Sequence, residues 1–116
     1  MARRADQTIH DGRCACGRIA FRAVGDPSWA AYCHCGDCRR ASGAPFSLWV
    51  GFPRRAVLFT GSPMRRPAGA TATRSFCLGC GAPVAYEDAA IEGEPEIYLA
   101  IGLFEAPERI VPQAHA

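Results

Sequence analysis

The chain has 116 residues and a formal net charge of +2, and all 13 of its basic residues are arginine. This length predicts one domain over residues 1–116, and so small a charge provides no bulk field for binding nucleic acid. No apolar run approaches the ~20 residues of a membrane span, and the N-terminus lacks the apolar segment of a secretory signal, so we expect a cytoplasmic protein without a membrane partner.

Short segments of strand-like composition follow one another along the chain, separated by 9 prolines and 12 glycines. The predicted strands are residues 18–24, 28–35, 45–52, 56–61, 71–76, 83–88 and 96–104. Residues 53–55 form a predicted turn, and one helical turn is predicted after Cys38, over residues 39–43. The fold class is therefore mainly β and antiparallel, with little helix.

The ends of the chain and the last apolar run need separate treatment. The segment "EIYLAIGLF", residues 96–104, has the length of a buried strand or of a short helix. Isoleucine, tyrosine and an interior glycine favour the strand. Residues 1–7 and 113–116 lack periodicity, and we expect them to be flexible.

Seven cysteines fall into three groups along the chain. These groups are a first pair, Cys14 and Cys16; a triplet, Cys33, Cys35 and Cys38; and a last pair, Cys77 and Cys80. An odd count without an export signal argues against a disulfide scaffold. Groups of thiolates select zinc or iron–sulfur clusters over hard cations, and zinc is the metal expected for dispersed groups of this kind.

Spacing leaves two ways of sharing the sulfur atoms between metal ions. In the first, the two pairs form a closed structural site and the triplet holds a second ion. In the second, Cys35 and Cys38 join the last pair in a zinc ribbon. The 38 residues between those two groups (39 to 76) exceed the usual spacing of about 15–20 in such ribbons. Spacing therefore favours the first arrangement without excluding the second.

The triplet is the candidate catalytic centre. Three protein ligands with an open fourth position are typical of catalytic zinc. Three thiolates leave the centre with a net negative charge, so it is a poor Lewis acid but can bind an incoming thiol as thiolate. The alternatives are a second structural site, completed by His34, His115 or a water, and a metal or redox buffer.

Arginines near the cysteines are candidates for binding the carboxylates of a thiol substrate, or for balancing the charge of the metal centres. They are Arg39, Arg40 and Arg74. The alternative for each is a solvated surface charge. Trp29 is assigned to the core, and Phe46 and Trp49 either to the core or to the apolar wall of a pocket. Two arginine doublets, residues 54–55 and 65–66, support a rival function, a zinc-stapled module that binds protein or nucleic acid.

Four segments of the chain occur together in one protein family. They are "GRCACGRIAFRA", "YCHCGDCRRASGAPF", "RSFCLGCGAPVAY" and "IGLFEAPERIVPQAH". In this order they resemble the glutathione-dependent formaldehyde-activating enzyme family, which includes the centromere protein V type proteins. The match runs from Gly12 to His115 and includes all seven cysteines. One departure is Glu105, where the family commonly has aspartate.

The resemblance implies a compact zinc-stapled fold of several small β-sheets, shared with the suppressor-of-sec-four type proteins. It implies a structural zinc held by Cys14, Cys16, Cys77 and Cys80. It implies a catalytic zinc, at which the sulfur of glutathione binds, held by Cys33, Cys35 and Cys38. The implied activity joins formaldehyde to glutathione to give S-hydroxymethylglutathione, which is a carbon–sulfur lyase reaction run in reverse. The alternative is a non-catalytic zinc-binding module.

Overall fold

The computed structural model describes residues 8–115 as short strands and turns around one α-helix. The strands are β1 (Ile9–Arg13), β2 (Ala20–Val24), β3 (Trp29–Cys33), β4 (Ser47–Pro53), β5 (Val57–Thr60), β6 (Met64–Pro67), β7 (Ala72–Phe76), β8 (Pro83–Asp88), β9 (Glu96–Ala100) and β10 (Ala114–His115). The helix, α1, spans Gly36–Ser42, and 3₁₀ turns cover Arg54–Ala56, Ile101–Leu103 and Pro107–Arg109. The prediction of a mainly β class with little helix is confirmed.

The strands form two sheets that share one apolar core. The smaller sheet has the order β1–β2–β5, and the larger has the order β10–β3–β4–β9–β8–β7–β6. The described pairings are antiparallel apart from that of β10 with β3. Side chains of both sheets belong to the core, and its most buried large members are Val50, Phe52, Val84, Ile97 and Leu99. Removing these side chains from water is the main stabilising contribution.

Helix α1 begins earlier than predicted. We expected one turn over residues 39–43, whereas the helix covers seven residues from Gly36. The thiol of Cys35 accepts a hydrogen bond from the backbone N–H of Cys38 and so acts as the N-cap. Gly43 ends the helix in the left-handed conformation, with φ 72°. Among the helices of residues 8–115, none is long and apolar enough to cross a membrane.

Residues 96–115 combine two short strands with 3₁₀ turns. The segment predicted as a strand over residues 96–104 is a strand only to Ala100 and continues as a 3₁₀ turn. Residues 114 and 115, part of the end that we expected to be flexible, form β10 and pair with Ala31 and Tyr32 of β3. We also expected residues 1–7 and 116 to be flexible. They lie outside the described residues.

His10 is a titratable side chain inside the core. It is 6% exposed, and its ring lies 5.8 Å from that of Phe52 and 6.1 Å from that of Phe104. Among residues 8–115 its Nε2 has no hydrogen-bond partner. Burial, and then the charge of Arg109, lower the pKa of His10 below its usual 6.5. The folded protein therefore holds this ring in its neutral form.

Acidification should destabilise the protein through His10. The folded pKa lies below the unfolded pKa, so the unfolded chain binds more protons, and stability is lost as the pH falls below about 6.5. We expect the Tm of the wild type to fall more steeply between pH 7.5 and pH 6 than that of His10→Leu, whose side chain does not titrate. Thermal unfolding followed by circular dichroism measures both slopes, and equal slopes would contradict the prediction.

Candidate functional site

The two cysteine pairs come together across the sheets. Cys14 follows β1 of the smaller sheet, and Cys77 follows β7 of the larger sheet. The sulfur atoms of Cys14, Cys16, Cys77 and Cys80, here called the quartet, all lie within 4.8 Å of one another. The structure thus brings the last pair to the first pair, and not to Cys35 and Cys38 as the ribbon arrangement required.

The quartet has the dimensions of a tetrahedral thiolate site. The sulfur of Cys16 lies 3.7 Å from that of Cys14 and 3.6 Å from that of Cys77. Zinc–sulfur bonds of about 2.3 Å in a tetrahedron place the sulfur atoms about 3.8 Å apart. The backbone N–H of Ile19 donates to the Cys14 sulfur, and this hydrogen bond is the largest of the causes that lower the pKa of that thiol to about 6. All seven cysteines are free of disulfides, and the quartet can hold a metal ion.

The triplet forms a second, separate cluster at the junction of β3 and α1. Cys33 ends β3, Cys35 caps α1 and Cys38 lies in the first turn of the helix. The Cys33 sulfur is 3.4 Å from that of Cys35 and 3.2 Å from that of Cys38. A backbone hydrogen bond from Cys38 lowers the pKa of the Cys35 thiol. Three converging soft donors can hold one metal ion.

A cavity of about 240 Å³ lies directly beside the triplet. Besides the three cysteines, its lining includes four aromatic side chains, which are Trp29, Trp49, Tyr86 and Tyr98. The ring centroids of Trp29 and Tyr98 are 4.6 Å apart, and those of Tyr98 and Tyr86 are 6.0 Å apart and stacked. We call this space the aromatic cavity. An apolar chamber next to a candidate metal centre has the character of a small-molecule site.

Arg74 lies between the aromatic cavity and the triplet. Its side chain is buried, with a relative exposure of 9%. Its Nη2 lies 3.6 Å from the Cys38 sulfur and donates to it, and its guanidinium lies 5.1 Å from the ring centroid of Tyr86. Because a buried cation needs a partner, the contacts with the sulfur of Cys38 and with the face of the Tyr86 ring stabilise the guanidinium.

The other predicted arginines differ in their position. Arg40 lines a second cavity of about 290 Å³ together with Arg66 and Arg74. This basic groove shares Asp37, Ala68 and Arg74 with the aromatic cavity, so the two spaces adjoin. Arg39 is exposed and belongs to the lining of neither space. Arg66 was not among the predicted site residues, because it lies far from any cysteine in the sequence.

The two histidines proposed as possible fourth ligands contact each other. Nε2 of His34 lies 2.8 Å from Nδ1 of His115, and the two rings are stacked. The ring of His115 also stacks on Tyr32, and that of Phe46 packs near both Tyr32 and His34. Neither histidine belongs to the triplet's cluster of donor atoms. Of the two predicted wall residues, Trp49 lines the aromatic cavity and Phe46 joins this histidine group.

The fold and the site together define a mainly β protein with two cysteine clusters, each of which could hold a metal ion. Residues 9–116 match the sequence model of the family described as glutathione-dependent formaldehyde-activating enzyme. An uncharacterised lyase of Schizosaccharomyces pombe is 25% identical over 101 residues, which are 87% of this chain and 72% of that protein. The crystal structure of a Rhodobacter sphaeroides protein has the same fold, with a TM-score of 0.70 at 17% identity, covering 91% of this chain and 99% of that chain.

Because the match covers nearly the whole chain, this protein belongs to the glutathione-dependent formaldehyde-activating enzyme family. The resemblance inferred from the four sequence segments is therefore confirmed. The likeness to the Rhodobacter sphaeroides protein supports the fold alone, since the two sequences are only 17% identical.

Proposed function

We propose that this protein is a zinc-dependent enzyme of the carbon–sulfur lyase type, which joins formaldehyde or a related carbonyl compound to glutathione or a similar thiol. The observation that carries the proposal is the triplet, whose three sulfur atoms open onto the aromatic cavity with the buried Arg74 against them. Membership of the family and a relative named as a lyase support it.

In this proposal the two clusters have different roles. The quartet holds a structural zinc, since four cysteines close its coordination. The triplet holds the catalytic zinc through Cys33, Cys35 and Cys38. Zinc at this position would supply an open coordination site at which a substrate thiol is bound as its more nucleophilic thiolate.

In this proposal Arg74 favours the binding of a substrate thiolate at the triplet. Its guanidinium offsets the charge of the thiolates through Cys38, so that a further thiolate meets less repulsion. The substrate sulfur then attacks the carbonyl carbon. One C–S bond forms, the π electrons of the carbonyl move to its oxygen, and that oxygen takes up the proton that the thiol released when its S–H bond broke to give the thiolate. Holding the two reactants together accounts for much of the acceleration.

The basic groove provides for the carboxylates of glutathione. Arg40 and Arg66 line it, and it adjoins the aromatic cavity through Arg74. Arginine binds carboxylates in a bidentate manner, and a tripeptide with two carboxylates needs more than one such partner. Arg39, which we also proposed from the sequence, lines neither the basic groove nor the aromatic cavity, so the proposal gives it no contact with the carboxylates.

The alternative function, binding nucleic acid through the arginine doublets, is less well supported. Arg54 and Arg65 both form ion pairs with Glu87, at 3.5 and 3.6 Å, and Arg55 pairs with Glu94. Three of the four arginines in these doublets are therefore already paired with carboxylates, and two of the three share Glu87. A phosphate backbone would have to displace those partners before it could bind.

The test of the proposed function combines metal analysis with exchange kinetics. Untreated protein should contain two zinc ions per chain. Exchange NMR of a mixture of formaldehyde and glutathione should show faster interconversion with S-hydroxymethylglutathione when the protein is added. Metallated protein that leaves the exchange rate unchanged would remove the enzymatic proposal. One zinc per chain would leave the triplet without its proposed ion.

Replacing Arg74 with glutamine should lower the catalysed exchange rate by about 10- to 100-fold, because a hydrogen bond to a charged group contributes about 1.5–3 kcal/mol. Arg74→Lys keeps the charge and should recover part of the rate, which a purely structural role would not predict. Arg55→Gln, at an exposed site, is the matched control and should behave as wild type. An unchanged rate in Arg74→Gln, with both zinc ions bound, would contradict this role.

A further inference from the structure

A transverse row of paired residues runs across five neighbouring strands along the aromatic cavity, and four of these residues present a side chain to it. Trp29 of β3 pairs with Gly51 of β4, Gly51 pairs with Tyr98 of β9, and Tyr98 pairs with Tyr86 of β8. Tyr86 in turn pairs with Arg74 of β7. Side chains in register on adjacent strands are direct neighbours. The row therefore forms an unbroken aromatic wall that ends at the cation beside the triplet.

Gly51 gives this wall its shape. A Cβ atom built on Gly51 would lie 2.7 Å from Cε2 and 2.8 Å from Nε1 of Trp29. The indole of Trp29 therefore lies against the bare backbone of β4, in space that any larger residue would occupy. This placement brings it to 4.6 Å from the ring of Tyr98. Because Gly51 has no side chain, the indole of Trp29 can pack on β4 and contact Tyr98.

The cavity is larger and less polar than formaldehyde requires. Its volume is about 240 Å³. The single carbon and oxygen that formaldehyde contributes fill on the order of 60 Å³, counted as two water volumes. The charged side chains that line it are Arg74 and Asp37, and Arg74 is already engaged with Cys38. The basic groove offers more arginines to the carboxylates of a tripeptide than the aromatic cavity does. The aromatic cavity is then available for an apolar group of the other substrate.

We infer that the carbonyl partner of this enzyme is an aldehyde that carries an aromatic ring, which packs in the cavity against the side chains of Trp29, Tyr98, Tyr86 and Trp49. Aromatic side chains favour apolar and aromatic guests, and offset or edge-on ring contacts add to the burial of area. This inference rests on the proposed function and names its substrate class. The chemistry is the same addition, with one C–S bond formed and one proton taken up by the carbonyl oxygen.

Binding can be measured without turnover, because the chain has two tryptophans, Trp29 and Trp49, and both line this cavity. Intrinsic tryptophan fluorescence therefore reports on this site. We expect phenylmethanethiol to quench this fluorescence with a Kd at least tenfold lower than that of 2-mercaptoethanol. Phenylmethanethiol carries an aromatic ring where 2-mercaptoethanol carries a hydroxymethyl group. Equal dissociation constants would overturn the inference.

Kinetics separate this inference from the proposed function. With glutathione as the thiol, kcat/KM for phenylacetaldehyde should exceed that for formaldehyde by at least tenfold. If formaldehyde reacts as well or better, the inference fails while the proposed function stands. If neither aldehyde is accelerated by protein with two zinc ions bound, the proposed function fails and the inference fails with it.

Variants of the wall give the matched comparison. Gly51→Ala should push the indole into the cavity and lower the preference for phenylacetaldehyde by at least tenfold. Tyr98→Leu, which leaves Gly51 intact, should lower it as well and covers the case in which Gly51→Ala does not fold. Gly102→Ala is the control, because a Cβ there meets no atom within 4 Å, and it should keep the wild-type preference. An unchanged preference in folded Gly51→Ala and Tyr98→Leu would contradict the inference.

Discussion

Replacing Cys14 with serine should leave the chain unfolded at room temperature. Cys14 is 1% exposed and contributes to the cluster that joins the smaller sheet to the larger one. A structural zinc contributes about 10–16 kcal/mol to folding, whereas the net stability of a domain is only about 5–15 kcal/mol. Loss of the zinc ion that we propose for the quartet would therefore remove a contribution comparable to the whole stability of the fold. Circular dichroism and zinc content per chain measure the outcome.

The control for this experiment is Cys35→Ser in the triplet. Serine is a favourable N-cap, so the variant keeps the hydrogen bond to the start of α1, and Cys35 is exposed. We expect it to fold, to retain one zinc ion and to lose the exchange activity. If the Cys14→Ser protein is folded and melts cooperatively, the quartet is not required for folding and the prediction is wrong.

Gly12→Ala should lower stability by about 1–3 kcal/mol, which corresponds to a fall in Tm of about 5–15 °C. Gly12 lies in β1 opposite Phe21, and a bridge connects it to Phe104. A Cβ at this position would lie 2.5 Å from Cε2 of Phe21 and 2.6 Å from the carbonyl oxygen of Leu103. The ring can rotate away, but the backbone carbonyl cannot move without disturbing the 3₁₀ turn to which it belongs.

Gly102→Ala tests the steric origin of that effect. It makes the same chemical change one residue before Leu103, where an added Cβ meets no heavy atom within 4 Å. Its Tm should stay within a few degrees of the wild type, since exposed substitutions away from special features usually change stability by less than about 0.5 kcal/mol. A similar fall in both variants would contradict a steric clash as the cause of the effect at Gly12.

Local signals in the sequence were sufficient for the cysteine groups and for most strands. The pairs C-x-C and C-x-x-C are recognisable by their spacing, and alternation predicted β2, which buries Phe21 and Ala23 and exposes Arg22. The choice between the quartet and the ribbon arrangement could not be made from the sequence. It depends on which other cysteines the fold brings next to Cys77, at the end of β7. Helix α1 was underestimated because a cysteine is an uncommon N-cap and its role is not visible from composition.

The aromatic wall was not predictable from the sequence. Trp29, Tyr86 and Tyr98 are separated by tens of residues and become neighbours only through the register of four strands. We assigned Trp29 to the core, and its partly buried indole instead lines the cavity. The charged residues of the site were equally hard to predict. Arg39 was proposed because it lies next to a cysteine in the sequence. Arg66 lies far from any cysteine, and the pairing of β6 with β7 brings it into the basic groove.

Strand β7 connects the two sulfur clusters. Its residue Arg74 donates to the sulfur of Cys38, and Cys77 begins immediately after the strand ends. One extended segment thus sets both the position of a quartet ligand and the direction of the cation that faces the triplet. A displacement of β7 at the quartet would therefore also move Arg74 relative to the triplet.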